Sequence, residues 1–177
     1  IIEEVLIYKA LGGKSIVELT VRSLSPDPQA VARISRITGL NIIMGTAYYV
    51  EQSYPAAKVD MDAKSEEEEV AEEFVRDILE GFGDTRIRAG IIGEVGCSWP
   101  LTDNEKKVLR ASARAQEATG AAINVHPGQN EMAAMECIKV LDKAGVDLSR
   151  VIISHVDRAV REPKNRLELA RTGCTLE

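Results

Sequence analysis

Ala121-Ala-Ile-Asn-Val-His126 is a short apolar run that closes on a histidine. Arg150-Val-Ile-Ile-Ser-His155 repeats the pattern with the only other histidine of the chain, and Ala89-Gly-Ile-Ile-Gly-Glu94 ends the same way on a carboxylate. Runs of this length, rich in Ile and Val, read as buried strands. The three closing residues lie about 30 residues apart, the length of one strand–helix–strand unit. Equivalent ends of successive parallel strands share one rim of a sheet, where α/β folds build their sites. Three side chains able to ligate a metal are therefore expected on a single rim.

Strand and helix signals alternate on either side of these runs. Ile1 to Leu11 reads as the tail of a helix closed by Gly12-Gly13, and Ser15 to Val21, rich in β-branched residues, as a strand. Asp27-Pro28 supplies an N-cap and a first-turn proline for a helix that Gly39 ends. Asn41 to Thr46 is the next strand, followed by a longer loop from Tyr48. Ser65-Glu-Glu-Glu68 has the form of a capping box, and Val70, Phe74, Ile78 and Phe82 follow at helical spacing as a buried stripe. The acidic run Glu66 to Glu69 is expected to be a solvated first turn that complements the helix dipole. A second capping box at Thr102-Asp-Asn-Glu105 opens a helix ending at Gly120. Another helix is expected over about 131 to 144 with Gly145 past its end. The His155 strand leads to a last helix, and Gly173 to Glu177 reads as a sixth strand.

Six parallel-type strands, each but the last followed by a helix, point to a (β/α)8 barrel. Such a barrel needs eight strands and about 250 residues. The chain is expected to be its central portion, residues 1–177 as one partial domain lacking the first and last strands. An open doubly wound sheet is the alternative, but Gly90-Ile-Ile-Gly93-Glu-Val-Gly96 has the wrong spacing for a GxGxxG phosphate loop.

The net charge of −6 leaves no basic stripe for phosphates or anionic membranes, which excludes a general nucleic-acid binder. Apolar runs stop short of the roughly 20 residues that span a bilayer. The three cysteines, Cys97, Cys137 and Cys174, form no CxxC pair. They read as buried free thiols, which suits a reducing, cytoplasmic setting.

Read together, Gly90-Ile-Ile-Gly-Glu94-Val-Gly-Cys-Ser-Trp-Pro-Leu-Thr102, Val125-His126-Pro-Gly128 and Ser154-His155-Val-Asp-Arg158 resemble the phosphotriesterase-related branch of the amidohydrolase superfamily. Asn41-Ile-Ile-Met-Gly-Thr-Ala-Tyr-Tyr-Val50 is similar to the same branch. The motifs fall in order along essentially the whole chain. The resemblance implies a TIM barrel with two divalent metals, usually zinc, at its C-terminal rim. Glu94 matches the bridging carboxylate, and His126 and His155 match the ligands of the second metal. The HxH pair and the Asp that hold the first metal have no match here and are expected on the two strands not represented. In several phosphotriesterases a carbamylated lysine forms the bridge; Glu94 supplies that carboxylate directly.

The implied activity is that of a zinc-dependent hydrolase. A hydroxide held between the two metals would attack an amide, ester or phosphoester bond of a small substrate. The resemblance thus implies that Glu94 is both metal bridge and catalytic group. The family carries acidic residues after the last histidine, whereas this chain has Asp157 then Arg158. An arginine at the rim suits a carboxylate, sulfonate or phosphate on the substrate. A salt bridge to Asp157 is its structural alternative. Tyr48 and Tyr49 match a region that walls the substrate pocket, and strand alternation leaves one of them for packing. Trp99 is either a pocket wall or a lid. The partner expected is a small, anionic molecule, with neither nucleic acid nor membrane; a homodimer is the one protein partner foreseen. Two other readings remain open at this point: a lactonase with promiscuous phosphotriesterase activity, and a non-catalytic metal-binding protein that has lost one metal site.

Overall fold

A computed structural model describes residues 1–55 and 64–177, with side chains from Glu67 onward in the second segment. The elements run α1 (Ile2–Ala10), β1 (Ser15–Glu18), α2 (Pro28–Thr38), β2 (Asn41–Thr46), α3 (Lys64–Leu79), β3 (Ile91–Gly96), α4 (Asp103–Thr119), β4 (Ile123–His126), α5 (Ala133–Lys143), β5 (Val151–Ile153), α6 (Val156–Ala159), α7 (Pro163–Ala170) and β6 (Thr175–Leu176). The six strands pair in chain order and all in parallel. Sequential parallel pairing with a crossover helix between neighbours curls the sheet into an arc of a (β/α)8 barrel. The expected architecture is the one observed.

The local signals act as their chemistry dictates. Asp27 accepts from the Ala30 amide at the start of α2, Pro28 fills the first turn, and Gly39 ends the helix. Both arms of the Thr102–Glu105 capping box are made, and Gly120 ends α4 in the left-handed region. The Ser65 side chain, on which the Ser65–Glu68 box depends, lies outside the described residues. Ile92, Val95, Ile123, Val125, Val151 and Ile153 from the strands pack against Phe74, Leu109, Cys137 and Leu141 from the helices. Among the described residues no helix is long and apolar enough to cross a membrane.

Three local expectations are corrected. The stripe on α3 stops before Phe82, because the helix ends at Leu79; Phe82 joins Met44 and Ala89 in a separate small cluster. The acidic start of α3 is not simply solvated. Glu67 is buried and bridges Arg110 (2.8 Å) and Arg114 (3.5 Å) of α4, while Glu68 pairs with Arg114 at 3.1 Å. The residue pattern of α4 puts its arginines on the face that meets α3. The last helix is two short ones, α6 and α7, because Pro163 starts afresh after the break at Val160.

Candidate metal centre

Glu94, His126 and His155 converge from three neighbouring strands, Glu94 from within β3, His126 from the end of β4 and His155 from the turn after β5. One ligand atom from each lies within 4.8 Å of the others. Glu94 Oε1 is 3.2 Å from His126 Nδ1 and 3.3 Å from His155 Nε2. Each side chain reaches this point by a different local device.

Glu94 sits inside β3 rather than at its end. Ile92 pairs with Ile123 and Val95 with Val125, so Gly93 and Glu94 together oppose the single residue Asn124. That is a β-bulge, the irregularity that re-aims a side chain beside a site. Only glycine suits position 93: its φ is +149°, and a Cβ there would fall 2.7 Å from the Asn124 carbonyl oxygen. His126 closes β4 opposite Gly96. His155 lies two residues beyond β5, in the left-handed conformation (φ 60°, ψ 28°) that opens α6. The expectation that it closes the strand is therefore corrected: the chain turns before it, and the turn swings the imidazole toward Glu94. A non-glycine residue held there stores strain of about 1–2 kcal/mol.

The rings form a layered group. The imidazoles of His126 and His155 meet edge to face at 4.7 Å, and Tyr49 meets His126 likewise at 5.0 Å. The Tyr49 hydroxyl lies 3.1 Å from His126 Nε2. Burial, and next the Glu94 charge, hold that hydroxyl protonated above the usual phenol range, with the Arg158 cation opposing them. Burial works against ionisation of Glu94, yet the two imidazoles hold its carboxyl below the ordinary glutamate value.

His126 Nδ1 is buried and makes no hydrogen bond, although Glu94 Oε1 is 3.2 Å away; the contact is close in space but off the line of a hydrogen bond. A buried ring nitrogen without a hydrogen-bond partner, beside a carboxylate and a second imidazole, is available to a metal ion. The distances fit too: ligands held at 2.0–2.1 Å around a tetrahedral zinc are about 3.3 Å from one another. Two imidazoles and a carboxylate are a donor set suited to zinc and similar divalent ions.

The two tyrosines part company. Tyr49 faces the cluster, while Tyr48 is buried against Tyr54 and Phe74 and donates to Glu73 of α3 at 2.7 Å. Arg158 is exposed on α6, and among the described residues no ion pair ties it to Asp157. Trp99 is exposed at the rim. All three cysteines are buried free thiols; Cys97, three residues past Glu94, is held protonated first by its contact with Cys137 and then by burial.

Reading by local pattern missed Glu105 as anything beyond a cap. It is fully buried and also accepts from the Glu51 amide and from the amide and hydroxyl of Ser98. Its neighbours Asn104 and Ser98, both hydrogen-bonding types beside a buried position, were the available hint.

The fold and site define a parallel (β/α)8-barrel arc that carries a carboxylate and two imidazoles, able together to hold a metal ion, on its C-terminal rim. The sequence profile of the phosphotriesterase family matches residues 1–177, and the chain belongs to that family. It is 46% identical over 176 residues to an N-acetyltaurine hydrolase of Dictyostelium discoideum, a match that covers 99% of this chain and 46% of that protein. It is 43% identical over 177 residues to a phosphotriesterase-related protein of Nematostella vectensis, covering 100% of this chain and 49% of the relative. The crystal structure of a resiniferatoxin-binding protein from Rhodobacter sphaeroides superposes with a TM-score of 0.92 at 36% identity, covering 99% of this chain and 48% of that one. The chain spans about half the length of the curated relatives it matches.

Proposed function

We propose that this chain carries the rim of a zinc-dependent hydrolase that cleaves the amide bond of a small N-acylated compound bearing an anionic group, of which N-acetyltaurine is the representative. The observation that carries the reading is the convergence of Glu94, His126 and His155 within 4.8 Å. His126 Nδ1 and His155 Nε2 would hold one metal, and Glu94 would bridge it to a second. When bound, the metals supply an activated water and polarise the scissile carbonyl.

The chain's own residues do the rest. The Tyr49 hydroxyl lies 3.1 Å from His126 Nε2, and by accepting the Nε2 proton Tyr49 would fix the tautomer that leaves the Nδ1 lone pair free. Its own hydroxyl proton remains available to a substrate oxygen. Arg158, three residues past His155, takes the sulfonate or carboxylate of the substrate by a charge-assisted contact. Tyr48 supports this arrangement from the core and does not touch substrate. The net reaction adds water across the C–N bond and releases a carboxylate and an amine. The buried thiols suit a reducing, cytoplasmic compartment.

The test is acetate release from N-acetyltaurine by the complete, zinc-loaded protein, with metal content measured in parallel. About two metals per chain and release of acetate support the reading. Two metals with turnover of lactones or phosphotriesters alone would favour the lactonase. One metal or none, without turnover, would leave a binding protein.

A further inference from the structure

We propose that Glu105 is a positioning residue for the metal cluster, acting on His126 through the Glu51 amide and Tyr49. The inference rests on the reading of Glu94, His126 and His155 as metal ligands.

Glu105 is the third residue of α4 and is fully buried. Its two oxygens serve different segments of the rim. Oε2 accepts from the Thr102 amide (3.1 Å), the Ser98 amide (3.0 Å) and the Ser98 hydroxyl (2.8 Å). Oε1 accepts from the Glu51 amide at 3.2 Å. A capping box needs the Thr102 arm alone. The remaining donors come from the loops that follow β2 and β3, and the first of these loops carries Tyr49.

The arm through Glu51 leads directly to the cluster. Asn104 donates from its side chain to Glu51 Oε1 at 2.8 Å, so the start of α4 grips this turn at two points. The turn is a single 3-10 turn, Glu51–Ser53, and Tyr49 lies just before it with its amide on the Ser23 hydroxyl at 2.9 Å. The Tyr49 hydroxyl then meets His126 Nε2 at 3.1 Å. A ligand imidazole keeps its orientation only while the partner of its second nitrogen stays in place. Glu105 fixes where the Tyr49 backbone sits, and so where that partner is.

A purely structural Glu105 would lower stability when altered and leave the zinc affinity of the folded protein alone. Glu51→Pro separates the two roles. It removes the N–H that Oε1 accepts, together with the carboxylate that Asn104 holds, so Glu51→Ala, which loses the carboxylate and keeps the N–H, is its control and should keep zinc affinity within about twofold of wild type. Proline suits the backbone here: it fits the first position of a helical turn, and Val50 before it already has the extended ψ of 151° that a following proline demands.

The experiment measures zinc affinity of the complete protein by chelator competition, with thermal unfolding alongside. Glu94→Ala must first weaken zinc binding; if it does not, the cluster reading fails and the present proposal with it. Given that result, Glu51→Pro and Tyr49→Phe should each weaken zinc binding ~10-fold, the scale on which partners of a ligand histidine act. The double variant should be no weaker than the worse single one, because both cut the same route. Glu105→Gln should show the same loss together with a lower melting temperature. Ser98→Ala, which trims only the other arm, should keep zinc affinity within about twofold of wild type. The proposal is overturned by an unchanged affinity in Glu51→Pro, by losses that multiply in the double variant, or by a Ser98→Ala loss as large as that of Glu51→Pro.

Discussion

The guanidinium of Arg22 grips the carboxylate of Asp77 with two hydrogen bonds, Nε to Oδ2 at 2.7 Å and Nη2 to Oδ1 at 2.6 Å. Arg22 follows β1 and donates its amide to Ala47, while Asp77 lies on α3 and also accepts from the buried Thr46 hydroxyl. The pair thus ties two strand ends to the helix behind them. The Asp77 side chain is 1% exposed and that of Arg22 27%. Asp77→Ala strands Thr46 and half of Arg22, so we expect a loss of about 3 kcal/mol, the low end for a broken buried pair because Arg22 can reach water. Urea unfolding measures it. Replacing both partners by apolar residues of similar volume should recover only part of the loss, because the Thr46 hydroxyl and Glu73 Oε1 each still lack the partner they had; full recovery would mean that those two contacts contribute nothing.

Glu94→Gln keeps the shape of the cluster and removes its charge. A neutral amide cannot balance two dications, so the complete protein should lose most of its metal and nearly all turnover. Metal analysis after dialysis reads the first and acetate release the second. Stoichiometric metal with near-normal turnover would show that Glu94 is no bridge.

His155→Gly is expected to separate function from stability. Glycine adopts the left-handed backbone at no steric cost, which releases about 1–2 kcal/mol of strain. Against this stands roughly 0.5–1 kcal/mol of added chain entropy in the unfolded state. The metal-free protein should therefore unfold within about 1 kcal/mol of wild type, while zinc affinity falls steeply. A large destabilisation of the metal-free variant would mean that the imidazole is a packing group.

Arg158→Ala should raise KM by about tenfold or more for substrates with a sulfonate or carboxylate and spare neutral esters, as expected for a charge-assisted contact made alike in ground and transition states. Steady-state kinetics on a charged and neutral pair of equal acyl group checks it. An equal fall of kcat on both would place Arg158 in the chemical step or in folding.

The barrel was legible because its evidence is periodic and local. Apolar runs, N-caps and helix-ending glycines each act within a few residues, and α2 and α4 begin and end where Asp27, Gly39, Thr102 and Gly120 put them. The strand-end pattern likewise brought Glu94, His126 and His155 to one rim. What stayed hidden depends on distant partners. The bulge that aims Glu94 is a property of the register between β3 and β4, and the left-handed turn at His155 leaves no mark in its composition. Glu67 looked solvated until α4 supplied Arg110 and Arg114, and a cap signal at Glu105 gave no notice of Glu51, 54 residues away.

The glycines at the rim set a limit on how this mouth could be redesigned. A Cβ on Gly96 would fall 2.4 Å from the backbone of Tyr49 and Val50, and one on Gly128 would fall 2.6 Å from the backbone of Ser98. Main chain therefore rests on main chain across three successive loops, like stacked tiles. A loop grafted singly from a relative with another specificity would rock its neighbours, and with them Tyr49 and His126. A transplant that moves all three together is the unit in which this rim could change its substrate.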